Sequence, residues 1–298
     1  IPTFILSKFA KKNVTVCLSG DGGDELFGGY NRYIWSKKIW RYIRFIPLPI
    51  RNIISFIIYA TPQNLVNYTE KKLNQNFSSK VSINNLSEKL FKLRNKILKP
   101  KTFNEFYIEL VSEWSNVKEL LLLDKDFSIN NITKNLIFDS KDLTQKMMFY
   151  DVNTYLTDDI LCKVDRASMF NSLETRAPFL NRDVVDLAFN IPLNYKINNN
   201  KAKWILREIL DDYVPKNLIE RPKMGFSIPL ASWLRGPLKE WCLDTLSKSN
   251  LNNFDFNSKL IKNTIDEHMK GTNNHHNKIW SLMIFIIWYQ NQTSKKII

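Results

Sequence analysis

Val14-Thr15-Val16-Cys17-Leu18-Ser19-Gly20-Asp21-Gly22-Gly23-Asp24-Glu25-Leu26-Phe27-Gly28-Gly29-Tyr30 is a short apolar run that ends in an acidic, glycine-rich turn. Gly20, Gly22, Gly23, Gly28 and Gly29 are five of the chain's eight glycines, so the cluster is not a compositional accident. The β-branched segment Val14–Leu18 predicts a buried strand. A strand that feeds a helix through such a turn leaves free backbone N–H groups pointing outward, a geometry that cradles phosphate. Asp21, Asp24 and Glu25 in the same turn would repel a polyphosphate unless a divalent cation lay between them. Magnesium takes one or two carboxylates together with phosphate oxygens. The loop therefore points to Mg–nucleotide or Mg–pyrophosphate chemistry, against the plainer reading of a tight turn with a solvated acidic rim. Its spacing matches neither the phosphate loop that ends in Gly-Lys-Ser/Thr nor the dinucleotide GxGxxG fingerprint.

A chain of 298 residues can bury a sizeable core as one large domain or two smaller ones. The first residue is Ile1, and Phe4, Ile5, Leu6 and Phe9 already repeat with helical spacing, so the chain is expected to begin partway through a longer polypeptide. Forty-three basic and 29 acidic residues give a net charge of +14. The bases are densest from Arg32 to Arg51, interleaved with Trp35, Trp40, Tyr42 and Phe45. That pattern reads as a solvated basic helix face, and no RNA-binding signature accompanies it. Cys17, Cys162 and Cys242 are far apart, form no CxxC pair and fit a reducing cytoplasm. His268, His275 and His276 read as surface polar residues. Ile50–Ala60 and Ile279–Tyr289 are too short to span a bilayer, so no membrane association is expected.

Beyond the turn the pattern is mostly helical. Helices are expected near 31–46, 49–61, 85–98, 102–114, 141–156, 158–171, 182–190, 202–213, 230–247, 257–270 and 276–291. Residues 62–86 are rich in Asn, Ser, Thr and Lys and read as a loop or insertion, and Asn194–Asn200 reads as a polar turn. One strand with this many helices fits the C-terminal portion of an α/β domain.

Three further stretches carry chemistry. In Asp165-Arg166-Ala167-Ser168-Met169 and Ser172-Leu173-Glu174-Thr175-Arg176-Ala177-Pro178-Phe179-Leu180, Glu174 and Arg176 alternate. In an extended segment they share a face, as a buried ion pair or as a clamp on a charged substrate. Lys203, in Lys201-Ala202-Lys203-Trp204-Ile205-Leu206-Arg207, opens a helix against the macrodipole, which makes sense if it reaches an anion. Its plainer reading is a surface lysine. Arg221-Pro222-Lys223-Met224-Gly225-Phe226-Ser227-Ile228-Pro229 is a basic loop between prolines, a cover over an anion or a rigid connector.

In this order the four stretches resemble the synthetase domain of glutamine-dependent asparagine synthetases. Ser19–Tyr30 is similar to the family's second nucleotide loop, and Asp165–Leu180 to its Asp-Lys/Arg-x-x-Met…Glu-x-Arg-x-Pro-Phe-Leu segment. Lys203–Arg207 resembles its Lys-x-Leu/Ile-Leu-Arg helix, and Arg221–Pro229 its Arg-x-Lys-x-Gly-Phe-x-x-Pro loop. The likeness runs through residues 1–35 and about 141–245, while 36–140 reads as a helical insertion. The resemblance implies an α/β fold, the adenine-nucleotide alpha-hydrolase-like (ATP-pyrophosphatase) domain, here its predominantly helical C-terminal portion. It implies ATP and Mg2+ as cofactors, and a reaction in which aspartate is adenylated to β-aspartyl-AMP and then captured by ammonia. The ammonia would come from an upstream glutaminase domain.

Carried over residue by residue, Asp21 takes the acidic position assigned to proton removal from ammonia, where the family commonly has Glu. Asp24 would hold Mg–pyrophosphate with Glu25 helping. Leu18, Ser19, Gly20 and Gly22 would line the nucleotide, and Lys203 would stabilise phosphate charge. Glu174, Arg176, Asp165 and Arg166 would shape the acyl-substrate side. Asn181 stands where the family often has Asp. The family's first nucleotide loop, Ser-Gly-Gly-x-Asp-Ser, and its N-terminal nucleophilic cysteine are absent from the sequence. It is therefore expected to be a fragment, inactive alone. The competing readings are a related amidotransferase, β-lactam synthetase or peptide cyclase acting on another carboxylate, and a non-catalytic basic binding module. Nucleic acid is not the expected partner, and a homodimer is compatible with the reading.

Overall fold

The structure, a computed structural model, describes residues 1–62, 65–66, 68–70, 72, 90, 93–114, 117–122, 138, 140–219, 228–251 and 254–294. The chain divides into two compact units, residues 1–42 with 133–228, and residues 43–132 with 229–298. Of the stretch read as an insertion, the described residues between 43 and 122 group with the C-terminal segment, while 36–42, 138 and 140 belong to the first unit.

In the first unit, β1 (Val16–Leu18) runs parallel to β2 (Glu174–Arg176), with Val16 opposite Glu174, Cys17 opposite Thr175 and Leu18 opposite Arg176. The pairing continues into the glycine turn, where the Ser19 N–H donates to the Arg176 carbonyl at 2.8 Å. The parallel pair supports the expected α/β character, since parallel strands need a long crossover. The expectation of a buried strand fails. Val14, Val16 and Leu18 are exposed, because β1 is three residues long and, among the described residues, pairs only with β2. Helix Pro2–Ala10 begins on a proline, whose missing N–H costs nothing at that position. It lies against helix Cys162–Met169, with the Phe4 and Phe170 rings 5.4 Å apart.

Residues 143–169 form one continuous helical run instead of two helices. Leu143–Asp151 is α-helical, Val152–Leu161 is a wider π-helix, and Cys162–Met169 returns to the α form. Within the wide stretch the Thr154 hydroxyl donates to the Tyr150 carbonyl at 2.7 Å, an extra bond from a side chain to the ladder. π segments concentrate at functional sites. Asp142 caps the start, its carboxylate accepting from the Thr144 N–H at 2.8 Å. The polar turn expected over Asn194–Asn200 resolves into a short helix, Leu193–Lys196, and a hairpin of β3 (Ile197–Asn198) and β4 (Lys201–Ala202). Asn199 and Asn200 both have positive φ, 48° and 62°, as a two-residue hairpin turn of the primed kind requires.

The second unit is helical throughout its described elements. Helix Phe103–Val111 is capped by Thr102, which accepts from the Glu105 N–H, while the Glu105 carboxylate reaches back to the Lys101 N–H at 2.7 Å. The last helix, His276–Ser294, buries Ile279, Met283 and Ile286 on one face at helical spacing. The helix expected over 230–247 is broken into Leu230–Arg235 and Lys239–Thr245 by Gly236-Pro237, since the proline has no N–H to continue the ladder. No single described helix is long and apolar enough to cross a membrane.

His268 and His275 are buried, against the expectation of surface histidines. The His275 N–H donates to His268 Nδ1 at 3.2 Å, which puts the imidazole proton on Nε2. Burial, followed by the nearby Arg235 charge, pushes the His268 pKa from 6.5 down to about 4. Between those two values the unfolded chain binds a proton there that the folded chain does not. Stability from this group is therefore complete above pH 6.5 and is lost as the pH falls toward 4. The expected loss is on the order of 3 kcal/mol. Urea titrations at pH 7.5 and pH 4.5 measure it, and His268→Asn should remove this part of the pH dependence.

Candidate functional site

The glycine turn is held in place by its own apolar residues. Gly22 has φ 85°, a left-handed conformation, and opens the short helix Gly23–Leu26. A Cβ on Gly22 would also lie 2.5 Å from Leu180 Cδ2. Leu26 and Phe27 are buried with Ala188 against Phe179, Leu180, Val184, Val185, Ile205 and Leu206. That core joins three distant segments. Helix Arg182–Asn190 is capped by Asn181, whose side chain accepts from the Asp183 N–H at 2.9 Å, so the residue that departs from the family pattern has a structural use here. Helix Trp204–Asp211 contributes Ile205 and Leu206, which brings its N-cap, Lys203, to the turn.

Lys203 Nζ lies 3.0 Å from Asp24 Oδ1, and each side chain is 28 % exposed. Lys203 has φ 54° and ψ 40°, a left-handed backbone that an ordinary side chain adopts at a cost of roughly 1–2 kcal/mol. Strain of this kind is concentrated at functional positions. The pair closes directly over Gly29. A Cβ there would run into both the Asp24 carboxylate and Lys203 Cε. The turn itself is braced from within by the Gly29 N–H, which donates to the Asp24 carbonyl at 2.7 Å.

Of the residues predicted around the turn, Ser19 and Asp21 are bonded to each other, the hydroxyl donating to Asp21 Oδ2 at 2.8 Å. Gly20 is exposed, with open space where a Cβ would be, and Leu18 is exposed. Glu25 departs from its expected place beside Asp24. It is 2 % exposed and faces inward, accepting from the Tyr30 hydroxyl at 2.6 Å. Neighbours on a helical turn point to different sides, so Asp24 out and Glu25 in follows from Gly23–Leu26 being helical. Burial raises the Glu25 carboxyl pKa, and desolvation with the Glu25 bond raises that of Tyr30. Glu174 and Arg176 do pair, at 2.6 Å, but both are exposed on β2 instead of buried. Asp165 and Arg166 lie 3.9 Å apart and exposed on helix Cys162–Met169. The basic loop Arg221–Ser227 lies outside the described residues.

A second polar cluster went unread in the sequence. Arg32 donates to Asp151 Oδ2 from Nη2 at 2.8 Å and from Nε at 3.1 Å, and the Tyr33 hydroxyl donates to the same oxygen. Asp151 is completely buried. The guanidinium of Arg32 lies 4.0 Å from the Tyr30 ring centre and 5.3 Å from that of Tyr155, a cation held between aromatic faces. Through Tyr30 this cluster meets Glu25 and so supports the turn. The available signal was a lone carboxylate inside the apolar run Met147-Met148-Phe149-Tyr150-Asp151.

Among the described residues no group of three or more His, Cys, Asp or Glu could hold a metal. Asp24 alone still fits magnesium, which needs only one or two protein carboxylates when phosphate oxygens and water fill the remaining positions. An outward carboxylate, an ammonium 3.0 Å away and a glycine backbone beneath them make a site with one handle for a cation and one for an anion.

The sequence pattern of the asparagine synthase family matches residues 1–290. Asparagine synthetase [glutamine-hydrolyzing] 1 of Bacillus subtilis is 30 % identical over 99 % of this chain and 43 % of its own length. Asparagine synthetase [glutamine-hydrolyzing] 3 of the same organism is 34 % identical over 28 % of this chain and 14 % of its own. Amidase chry2 of Gibberella zeae is 28 % identical over 38 % of this chain and 18 % of its own. The chain thus spans less than half the length of these curated relatives. No solved structure matches it. With its acidic glycine turn, its helix-opening lysine and the match over nearly its whole length, the chain belongs to the asparagine synthase family.

Proposed function

We propose that this chain forms the pyrophosphate end of an ATP-dependent, amide-forming ligase that makes asparagine from aspartate. In this reading the aspartate side-chain carboxylate attacks the α-phosphorus of ATP, and diphosphate leaves. Ammonia released from glutamine by a further domain then attacks the acyl carbon and AMP leaves. The observation that supports it is the Asp24–Lys203 pair over the glycine turn. Lys203 stabilises the negative charge that builds on the departing diphosphate, its backbone held at the helix N-cap so that only the side chain moves to meet that charge. Asp24 would hold magnesium, which when bound draws charge from the diphosphate. Ser19, Gly20 and Gly22 line the nucleotide side. Asp21, bonded to Ser19, is the candidate to take the proton from ammonia. Glu174 and Arg176 flank the turn through β2 and shape the carboxylate side.

Glu25 has a different role in this geometry. It holds Tyr30, and through Tyr30 the orientation of the turn. The adenylated carboxylate is the variable to test. ATP–pyrophosphate exchange by the complete protein decides it. Exchange that depends on aspartate is the expected result. Exchange driven only by other carboxylates, or none with any, would overturn the assignment.

A further inference from the structure

We infer that Asp24 and Lys203 form an electrostatic latch, so that the turn admits diphosphate together with a divalent cation and discriminates against diphosphate alone. The inference rests on the reading that this turn takes cation-bound diphosphate. The carboxylate that would hold the cation and the ammonium that would hold the anion are bound to each other at 3.0 Å. Each therefore occupies the other's ligand position. A bare anion must pull Lys203 from Asp24 and then sit beside an uncompensated carboxylate, so it loses twice. A cation at Asp24 neutralises that carboxylate and releases Lys203 in the same step. Binding of either ligand thereby prepares the site for the other, a reciprocal coupling between two binding events.

Two features of the backbone support the latch. Lys203 is fixed in a left-handed conformation at the mouth of its helix, directly after the β3–β4 hairpin, which limits where its stem can go. Gly29 leaves the space in which the pair closes, since a side chain there would collide with both partners. No positive φ explains that glycine. Close approach of the pair does. Partial burial of both groups makes the interaction stronger than that of a freely solvated surface pair.

Calorimetric titration of the complete protein with inorganic pyrophosphate, in chelator and in excess Mg2+, tests the latch. The unaltered chain should bind the metal complex at least about tenfold more tightly than bare pyrophosphate. Asp24→Asn should bind bare pyrophosphate about fivefold more tightly than the unaltered chain and lose most of the metal preference. Asp186→Asn removes the same charge from an exposed ion pair with Arg182 outside the turn, and should change metal-free binding less than about twofold. Gly29→Ala parts the pair while keeping both charges, and should narrow the metal preference. Metal-free binding that Asp24→Asn leaves unchanged or weakens would overturn the latch, as would an equal gain in Asp186→Asn. Failure of the unaltered complete protein to bind pyrophosphate under either condition would instead overturn the underlying reading of the turn.

Discussion

Lys203→Ala is expected to slow aspartate-dependent pyrophosphate exchange by the complete enzyme about 10²–10³-fold, with ATP affinity changed far less. The asymmetry follows from where the charge appears. In the proposed reaction the phosphates of bound ATP would already be spread over cation, backbone and water, so one ammonium would add modestly to ground-state affinity. In the proposed step the charge of the leaving diphosphate would develop beside Lys203, where a positioned donor contributes most. Lys203→Arg restores the charge without the compact geometry that fits over Gly29 and should recover only part of the rate. Equal losses in kcat and in ATP affinity would assign Lys203 to uniform binding instead.

The second large effect is on stability. Arg32→Ala leaves Asp151 completely buried without its cation and is expected to destabilise the protein by about 3–5 kcal/mol. The Tyr33 hydroxyl still donates to Asp151, but a neutral donor does not replace a guanidinium bonded through two nitrogens. Loss of the cation also removes the contact with the faces of Tyr30 and Tyr155. Replacing both partners by apolar residues of similar size, Arg32→Met with Asp151→Leu, should recover much of the loss, because no charge is then left buried. Urea midpoints of the single and double variants measure this. A double variant as unstable as the sum of its parts would show that the cluster acts through packing and not through charge.

The acidic glycine turn was legible because glycine is rare in this chain and collects in one place. The helices were legible wherever apolar spacing was strict, as over Arg182–Asn190 and His276–Ser294. What failed did so for local reasons. Val14–Leu18 reads as buried because a β-branched run carries no information about how many strands will flank it. The break at Gly236-Pro237 is in the sequence, but the strong apolar pattern on either side masks it. The wide helix over Val152–Leu161 has no periodicity that separates it from an α-helix. Asp24 and Glu25 are adjacent carboxylates in the same turn, and only the helical geometry of Gly23–Leu26 sends one to Lys203 and the other to Tyr30. The Arg32–Asp151 cluster joins residues far apart in the chain, so it becomes visible only with the fold.

The charge of +14 does not require a nucleic-acid partner. Basic residues near the turn have structural uses, as Arg32 does within its cluster and Lys37 does in pairing with Asp142 at 2.5 Å. In the proposed reading the positive charge at the turn is supplied by Lys203.

A crystal of the complete protein soaked with Mg2+ and pyrophosphate tests the proposed diphosphate site directly. Diphosphate should lie over Gly22 and Gly23, with the cation on Asp24 and Lys203 swung from the carboxylate onto a phosphate oxygen. Diphosphate bound at a remote surface, with Asp24 and Lys203 still paired, would contradict the assignment of this turn.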